Sequence, residues 1–382
     1  SERVICAGLQ VSKELYQLIS NEICPDLNID SDNFWNGVAT IFEKYTPKNA
    51  ALLKRRTDLQ DQIDSWHKSN KTFFDFAHYK QFLIDIGYLV PVGGDFSICP
   101  NNVDTEISSQ AGPQLVVPIT NARFALNAVN ARWGSLYDAL YGNDVIPETA
   151  GAEKSGSYNP IRGQKVIEYG RKFLDCAIPI QDGSHHDVKC YSVVDGRLNL
   201  QMVNDVGLCL IRQEQLVGFQ GKQENPSAIM LKNNDLHIEI QLDKESDVGA
   251  SDLAGVKDII LESAVTTIMD CEDSVAAVDA QDKVSAYRNW LGLMRGTLAA
   301  TFMRGDKQIT RKMRSDREFI APSGKPLLVR GRSLMFVRNV GLLMTTSTIL
   351  DENGEELPEG IMDAIVTALI SLFDLQSSTN NN

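Results

Sequence analysis

Two short apolar runs, each ending abruptly in charged residues and each followed by an amphipathic helix, restrict this chain more than any other feature. Ala264 to Met269 (AVTTIM) runs into Asp270-Cys-Glu-Asp273, and Ser333 to Val337 (SLMFV) runs into Arg338-Asn339. A continuous apolar run of this length suits a strand buried on both faces, as in a parallel sheet. The predicted helix after the first run turns Val275, Val278, Tyr287, Leu291 and Met294 inward. The helix after the second, reached through Pro358, uses Ile361, Ile365, Leu369 and Phe373. Buried strand, polar residues at its C-terminal end, then helix is the βα unit of an α/β fold, whose active sites gather at those strand ends. Gln114 to Pro118 (QLVVP) is a third such strand, so strand counting points to part of a barrel.

The flanking segments have other textures. Residues 1–88 read as all-helical, with one face formed by Val11, Leu15, Leu18 and Ile19. A second uses Phe34, Val38, Ile41 and Phe42, and a third Leu52, Leu59, Ile63 and Trp66; Pro25, Asp30 to Asp32 and Pro47 supply breaks. Pro91 to Asn102 reads as a linker. Between 135 and 262, Leu198 to Met202 and Leu236 to Leu242 alternate apolar and polar residues as half-exposed antiparallel strands do. A helix is expected near 161–178, making this a separate α/β insertion.

Composition excludes several classes. A net charge of −13 over 382 residues argues against a nucleic-acid partner. No run approaches 18 apolar residues, so no membrane span is expected. Seven scattered cysteines with no CxxC fit reduced thiols. HExxH, GxSxG, Walker and GxGxxG patterns are all absent. His185-His186, in the turn QDGSHHD, reads as a loop, and Cys271 between acids is a poor nucleophile.

Spacing alone leaves the charged strand ends with two readings each. Asp270 and Glu272 could support a cation's hydration shell or a general base, or could be solvated beside Asp273 or Ser274 capping the next helix. Arg338 could clamp a carboxylate and stabilise a developing oxyanion, or could pair with Asp270 or Glu272 for structure alone. Arg123 and Arg132, after the first strand, could each meet phosphates.

Three long segments carry a family resemblance: QAGPQLVVPITNARFALNAVNARWGSLYDALYG (110–142), TTIMDCEDSVAAVDAQDK (266–283) and GRSLMFVRNVGLLMT (331–345). They resemble malate synthase of the G class, and the likeness extends, with variations, from DNFWNGVATIF to FDLQ at Gln376. The resemblance implies a TIM (β/α)8 barrel, of which about three βα units are present here. These comprise 112–134 with 263–296 and 331–376. It also implies an N-terminal helical clasp (1–88), an inserted α/β domain (135–262 with 297–330) and a polar tail (377–382). The implied reaction condenses acetyl-CoA with glyoxylate and hydrolyses malyl-CoA to malate and CoA, with Mg2+, in a cytoplasmic, monomeric enzyme. By the same resemblance Arg338 contacts glyoxylate and stabilises the enolate, and Asp270 and Glu272 stand behind the metal. Val116, Arg123, Phe124, Ser274 and Arg311 contact acetyl-CoA. The family's metal ligands, catalytic base and C-terminal domain match no position here, so this chain alone is expected to be inactive. The alternatives are a CoA-binding module completed by another chain and a related citryl/malyl-CoA lyase.

Overall fold

The computed structural model describes residues 2–72 and 74–379. Its centre is a three-stranded parallel sheet: β1 (Gln114–Pro118), β2 (Thr266–Asp270) and β3 (Leu334–Arg338), side by side in chain order. Helix α1 (Ala122–Asn130) follows β1, α2 (Ala280–Met294) follows β2 and α3 (Glu359–Thr379) follows β3. Register aligns three cross-strand rows, Gln114–Thr266–Leu334, Val116–Ile268–Phe336 and Pro118–Asp270–Arg338. Side chains alternate across a strand, so these rows share one face, and Gln114 Nε2 donating to Thr266 Oγ1 at 3.0 Å lies on it. The opposite face carries Leu115, Val117, Thr267, Met269, Met335 and Val337. It packs into a core with Leu126, Val129, Tyr287, Trp290 and Val366. Asp270 and Arg338 are the last residues of their strands, which run one residue beyond the apolar runs.

The N-terminal segment is not all helix. Arg3–Cys6 and Leu9–Ser12 form an antiparallel hairpin, turned by Ala7 and Gly8 at φ of 48° and 80°, the left-handed pair that a two-residue hairpin loop requires. Leu9 and Val11 point into the core, so a period of two was present beside the helical spacing. Pro47 does not break the next element: Ser31–Ser69 is one helix of 39 residues, about 58 Å long at 1.5 Å per residue. The Glu43 carbonyl that Pro47 cannot bond belongs to an exposed residue, where water can satisfy it. Trp35, Val38 and Phe42 anchor one end and Trp66 the other.

The insertion has its own core. A seven-stranded sheet runs Pro326–Val329, Arg317–Ile320, Leu216–Lys222, Asn225–Asn233, Leu236–Leu242, Val256–Glu262 and Trp133–Ser135. Helix Pro160–Ala177 packs into this core through Val166, Ile167 and Leu174. Segment 297–330 divides: 317–329 joins this sheet, but the hairpin Ala299–Arg304/Lys307–Lys312 sits on α1, where Asn130 Nδ2 donates to the Lys312 carbonyl at 2.9 Å. Within residues 377–382, the helix runs through Thr379 and 380–382 lie outside the described residues. Helix α3 is long and apolar enough to cross a membrane, with mean hydropathy 1.3 over Glu359–Ser377. Its Met362, Val366, Leu369 and Ile370 are nevertheless buried in the core.

Candidate active site at the strand ends

Asp270 is fully buried, and both its oxygens are committed. Arg338 donates to it through Nε at 2.8 Å and Nη2 at 2.9 Å. The amides of Glu272 and Ser274 donate at 2.9 Å each and the Ser274 hydroxyl at 2.7 Å. Burial pushes the Asp270 carboxyl up, but Arg338, Ser274 and the two amides outweigh it and hold the group well below the usual carboxylate range. The fork leaves Nη1 of Arg338 turned to Asp273, 3.1 Å away, with the side chain 38% exposed. A buried carboxylate therefore orients a guanidinium whose outer edge remains accessible. The pairing reading of Arg338 holds: the guanidinium is bound to Asp270 and faces Asp273, with the side chain partly exposed.

The turn after Arg338 is tethered residue by residue. Asn339 Oδ1 accepts from Thr367 Oγ1 at 3.2 Å, the Val340 amide donates to Asp363 Oδ2 at 2.9 Å, and the Gly341 amide donates to Glu272 Oε1 at 3.0 Å. Asn49 of the long helix donates to the Leu342 carbonyl at 2.9 Å. Sequence reasoning missed Asp363. It is fully buried and also accepts from Tyr287 Oη at 2.5 Å and pairs with Lys283 at 3.0 Å. Lys283, itself buried, reaches Glu359 at 2.5 Å. Burial would lower the Lys283 ammonium, yet Asp363 and Glu359 raise it above its ordinary value. A signal existed: Asp363 shares the apolar α3 face with Val366 and Ile370, where an acid needs a partner.

The other expected residues fall into two places. Arg123 and Arg311 both lie over the Phe302 ring, 5.3 and 5.5 Å from its centroid, and Arg123 also lies over Phe124. Phe302 was not singled out in the sequence; its hairpin brings Arg311 to α1. Val116, 52% exposed, stands in the middle row of the same sheet face as Asp270 and Arg338. Ser274 lies in the turn below Asp270 and caps no helix. Asp279 caps α2 by accepting from the Asp282 amide at 2.9 Å. Helix α2 therefore starts after Val275 and Val278, the latter 82% exposed.

Two readings need correction, and a third, Cys271 as a poor nucleophile, holds for a different main cause. Arg132 meets no phosphate, being buried between Glu106 and Glu262 at 2.7 and 2.5 Å. His185 is no loop residue: it is fully buried, with Nε2 on the Ile178 carbonyl at 2.7 Å and Nδ1 on Tyr191 Oη at 3.0 Å. The Cys271 thiol is raised to about 12, first by burial and then by Asp363; the flanking acids are the lesser cause.

Comparison with known proteins then places the chain. Family models match residues 14–72 as the malate synthase N-terminal domain and 158–233 as the malate synthase G alpha-beta insertion domain. The malate synthase G of Halalkalibacterium halodurans is 52% identical over 376 residues, 98% of this chain and 52% of that protein. Those of Corynebacterium efficiens and Corynebacterium glutamicum are each 51% identical over 372 residues, 97% of this chain and 50% of theirs. Over nearly its whole length, this chain is similar to malate synthase G proteins. It spans about half the length of the curated relatives it matches. The malate synthase G insertion match covers helix Pro160–Ala177 and strands through Asn233, whereas the charged strand ends lie outside both matched segments.

Proposed function

We propose that this protein is a malate synthase, an acyltransferase of the glyoxylate cycle that condenses acetyl-CoA with glyoxylate and hydrolyses malyl-CoA to malate and CoA. The observation that carries the reading is the Arg338 guanidinium, anchored by a bidentate pair to buried Asp270, with its outer nitrogen paired, among the described residues, only to the solvent-exposed Asp273. Enolate formation puts negative charge on the thioester oxygen, and a cation already fixed there lowers the barrier without reorganising during the reaction. The same guanidinium edge suits a glyoxylate carboxylate. Parallel strands β1 to β3, adjacent in chain order and each followed by a helix, support a TIM-barrel arrangement with the site at its C-terminal face. The match to the insertion domain favours malate synthase over the shorter citryl/malyl-CoA lyases.

Arg123 and Arg311 would take CoA phosphates, with Phe302 fixing both. Val116 and Phe124 would add apolar and backbone contacts, and Ser274 a hydroxyl. Replacing Arg311 with glutamine should weaken CoA binding about tenfold, the loss of one charge-assisted hydrogen bond of roughly 1.5 kcal/mol. Calorimetric titration of CoA checks this, and unchanged affinity would remove Arg311 from the site.

Mg2+ belongs to the proposed reaction as an electrophile that polarises substrate oxygens, but the residues here do not fit direct coordination. Among the described residues no group of three or more His, Cys, Asp or Glu could hold a metal. Asp270 has both oxygens engaged, and Glu272 has one held by Gly341. We therefore assign these acids to supporting positions, and Asp270, held ionised by its donors, is equally unfit as the proton-abstracting base. The protein is read as cytoplasmic and monomeric. Thiol release that needs acetyl-CoA, glyoxylate and Mg2+ together tests the function; release of equal rate without glyoxylate would indicate a thioesterase instead. Running the same assay on this chain alone, and then with the remainder of a relative added, separates a self-sufficient enzyme from a complemented module.

A further inference from the structure

We infer that Asp363, held by Lys283 and Tyr287, is the positioning residue that sets the aim of Arg338. The inference rests on the reading of Arg338 as the substrate-facing cation. A guanidinium at the last position of a strand is aimed by two things: its own carboxylate partner, and the path of the backbone that leaves the strand. Asp270 supplies the first. The second is a turn with no regular secondary structure between Arg338 and strand Thr345–Leu350, so its course depends on the tethers described above. Of these, the Val340–Asp363 bond is the one that ends on a fully buried acid. Thr367, four residues on along α3, holds Asn339, so a single helix face fixes two consecutive residues of the turn.

Asp363 is itself over-determined. Lys283 and Tyr287 are spaced by four residues on α2 and converge on its carboxylate, whose Oδ2 also accepts from the Val340 amide. A buried acid accepting from three donors has little rotational freedom, and removing its charge leaves a buried ammonium with Glu359 alone. The approach of α3 to the turn is close enough that residue 360 must lack a side chain, since a Cβ at Gly360 would lie 2.4 Å from the Val340 carbonyl. Positions α2 and α3 thus behave as one jig, and the turn is the piece held in it.

The test uses Asp363→Asn, which preserves shape and one acceptor but removes the charge that holds Lys283. Hydrogen exchange at the Arg338 Nε–H and the Val340 amide, read by 15N-resolved NMR, should accelerate about tenfold or more. Amides of α1 such as Val129 should keep their rates. In the malate synthase assay on the complemented enzyme, turnover should fall about tenfold with the KM for acetyl-CoA unchanged. If exchange at Arg338 Nε–H stays at the parent rate, or rises only by the factor seen at Val129, Asp363 has no positioning role and the inference fails. Should Asp363→Asn not fold, Tyr287→Phe removes one donor and keeps the ring. A selective acceleration at Arg338 and Val340 then supports the proposal, and its absence overturns it. Arg338→Lys separates the two claims: if that variant turns over normally, the reading of Arg338 fails, while the exchange data still decide what positions it.

Discussion

In the complete enzyme, Arg338→Lys should lower turnover by about 100-fold or more in the thiol-release assay, with little change in the KM for acetyl-CoA. Removing a preorganised donor from a developing oxyanion costs about 10²–10³ in rate. Lysine keeps the positive charge but cannot reproduce the Nε/Nη2 fork that Asp270 accepts at 2.8 and 2.9 Å, nor aim a third donor outward at the same time. The ammonium has one nitrogen. If it pairs with Asp270 it leaves the substrate, and if it turns to substrate it leaves a buried carboxylate short of donors. Stability should therefore drop modestly as well, and turnover within threefold of the parent would remove Arg338 from the chemistry.

The largest stability effect is expected in the insertion, from Arg171→Met. Arg171 is 3% exposed and forms a bidentate pair with buried Asp252, while its Nη1 donates to Tyr191 Oη at 2.8 Å. The same Asp252 accepts from the amides of Ala254 at 2.9 Å and Val256 at 2.8 Å. Breaking a buried pair by removing one partner costs about 3–5 kcal/mol, because the other charge stays behind in the core. In a domain of this size that corresponds to a fall of roughly 10 °C in the unfolding midpoint. The companion experiment is the double variant Arg171→Met/Asp252→Asn, which removes the stranded charge, keeps an acceptor for the two amides and should regain much of the loss. Equal destabilisation of single and double variants would show that packing, rather than a stranded charge, carries the effect.

What the sequence made legible follows a physical line. Continuous apolar runs and strict alternation are local signals, and they located β1 to β3, the helix Pro160–Ala177 and strand Leu236–Leu242 to within a residue or two. The charges that end β2 and β3 were visible for the same reason. What escaped was set by distant partners. Arg132 reads as a free cation until Glu106 and Glu262 arrive from 26 and 130 residues away. His185 reads as a loop until Tyr191 and the Ile178 carbonyl close around it. Pro47 reads as a break because the sequence does not say that the carbonyl it leaves unpaired is wet. The N-terminal hairpin hid behind residues that satisfy both periods, and only the Ala7-Gly8 turn decided between them.

The alternation of side chains along β1, β2 and β3 has a consequence for how this protein can change over time. On each five-residue strand, the positions that face the helices (Val117, Met269 and Val337 among them) are constrained by volume, and their neighbours (Val116, Asp270 and Arg338) by chemistry. The two demands interleave at a spacing of one residue yet fall on opposite sides of the backbone. Substitutions that tune robustness and substitutions that retune reactivity can therefore accumulate on the same few residues of chain without competing for the same space.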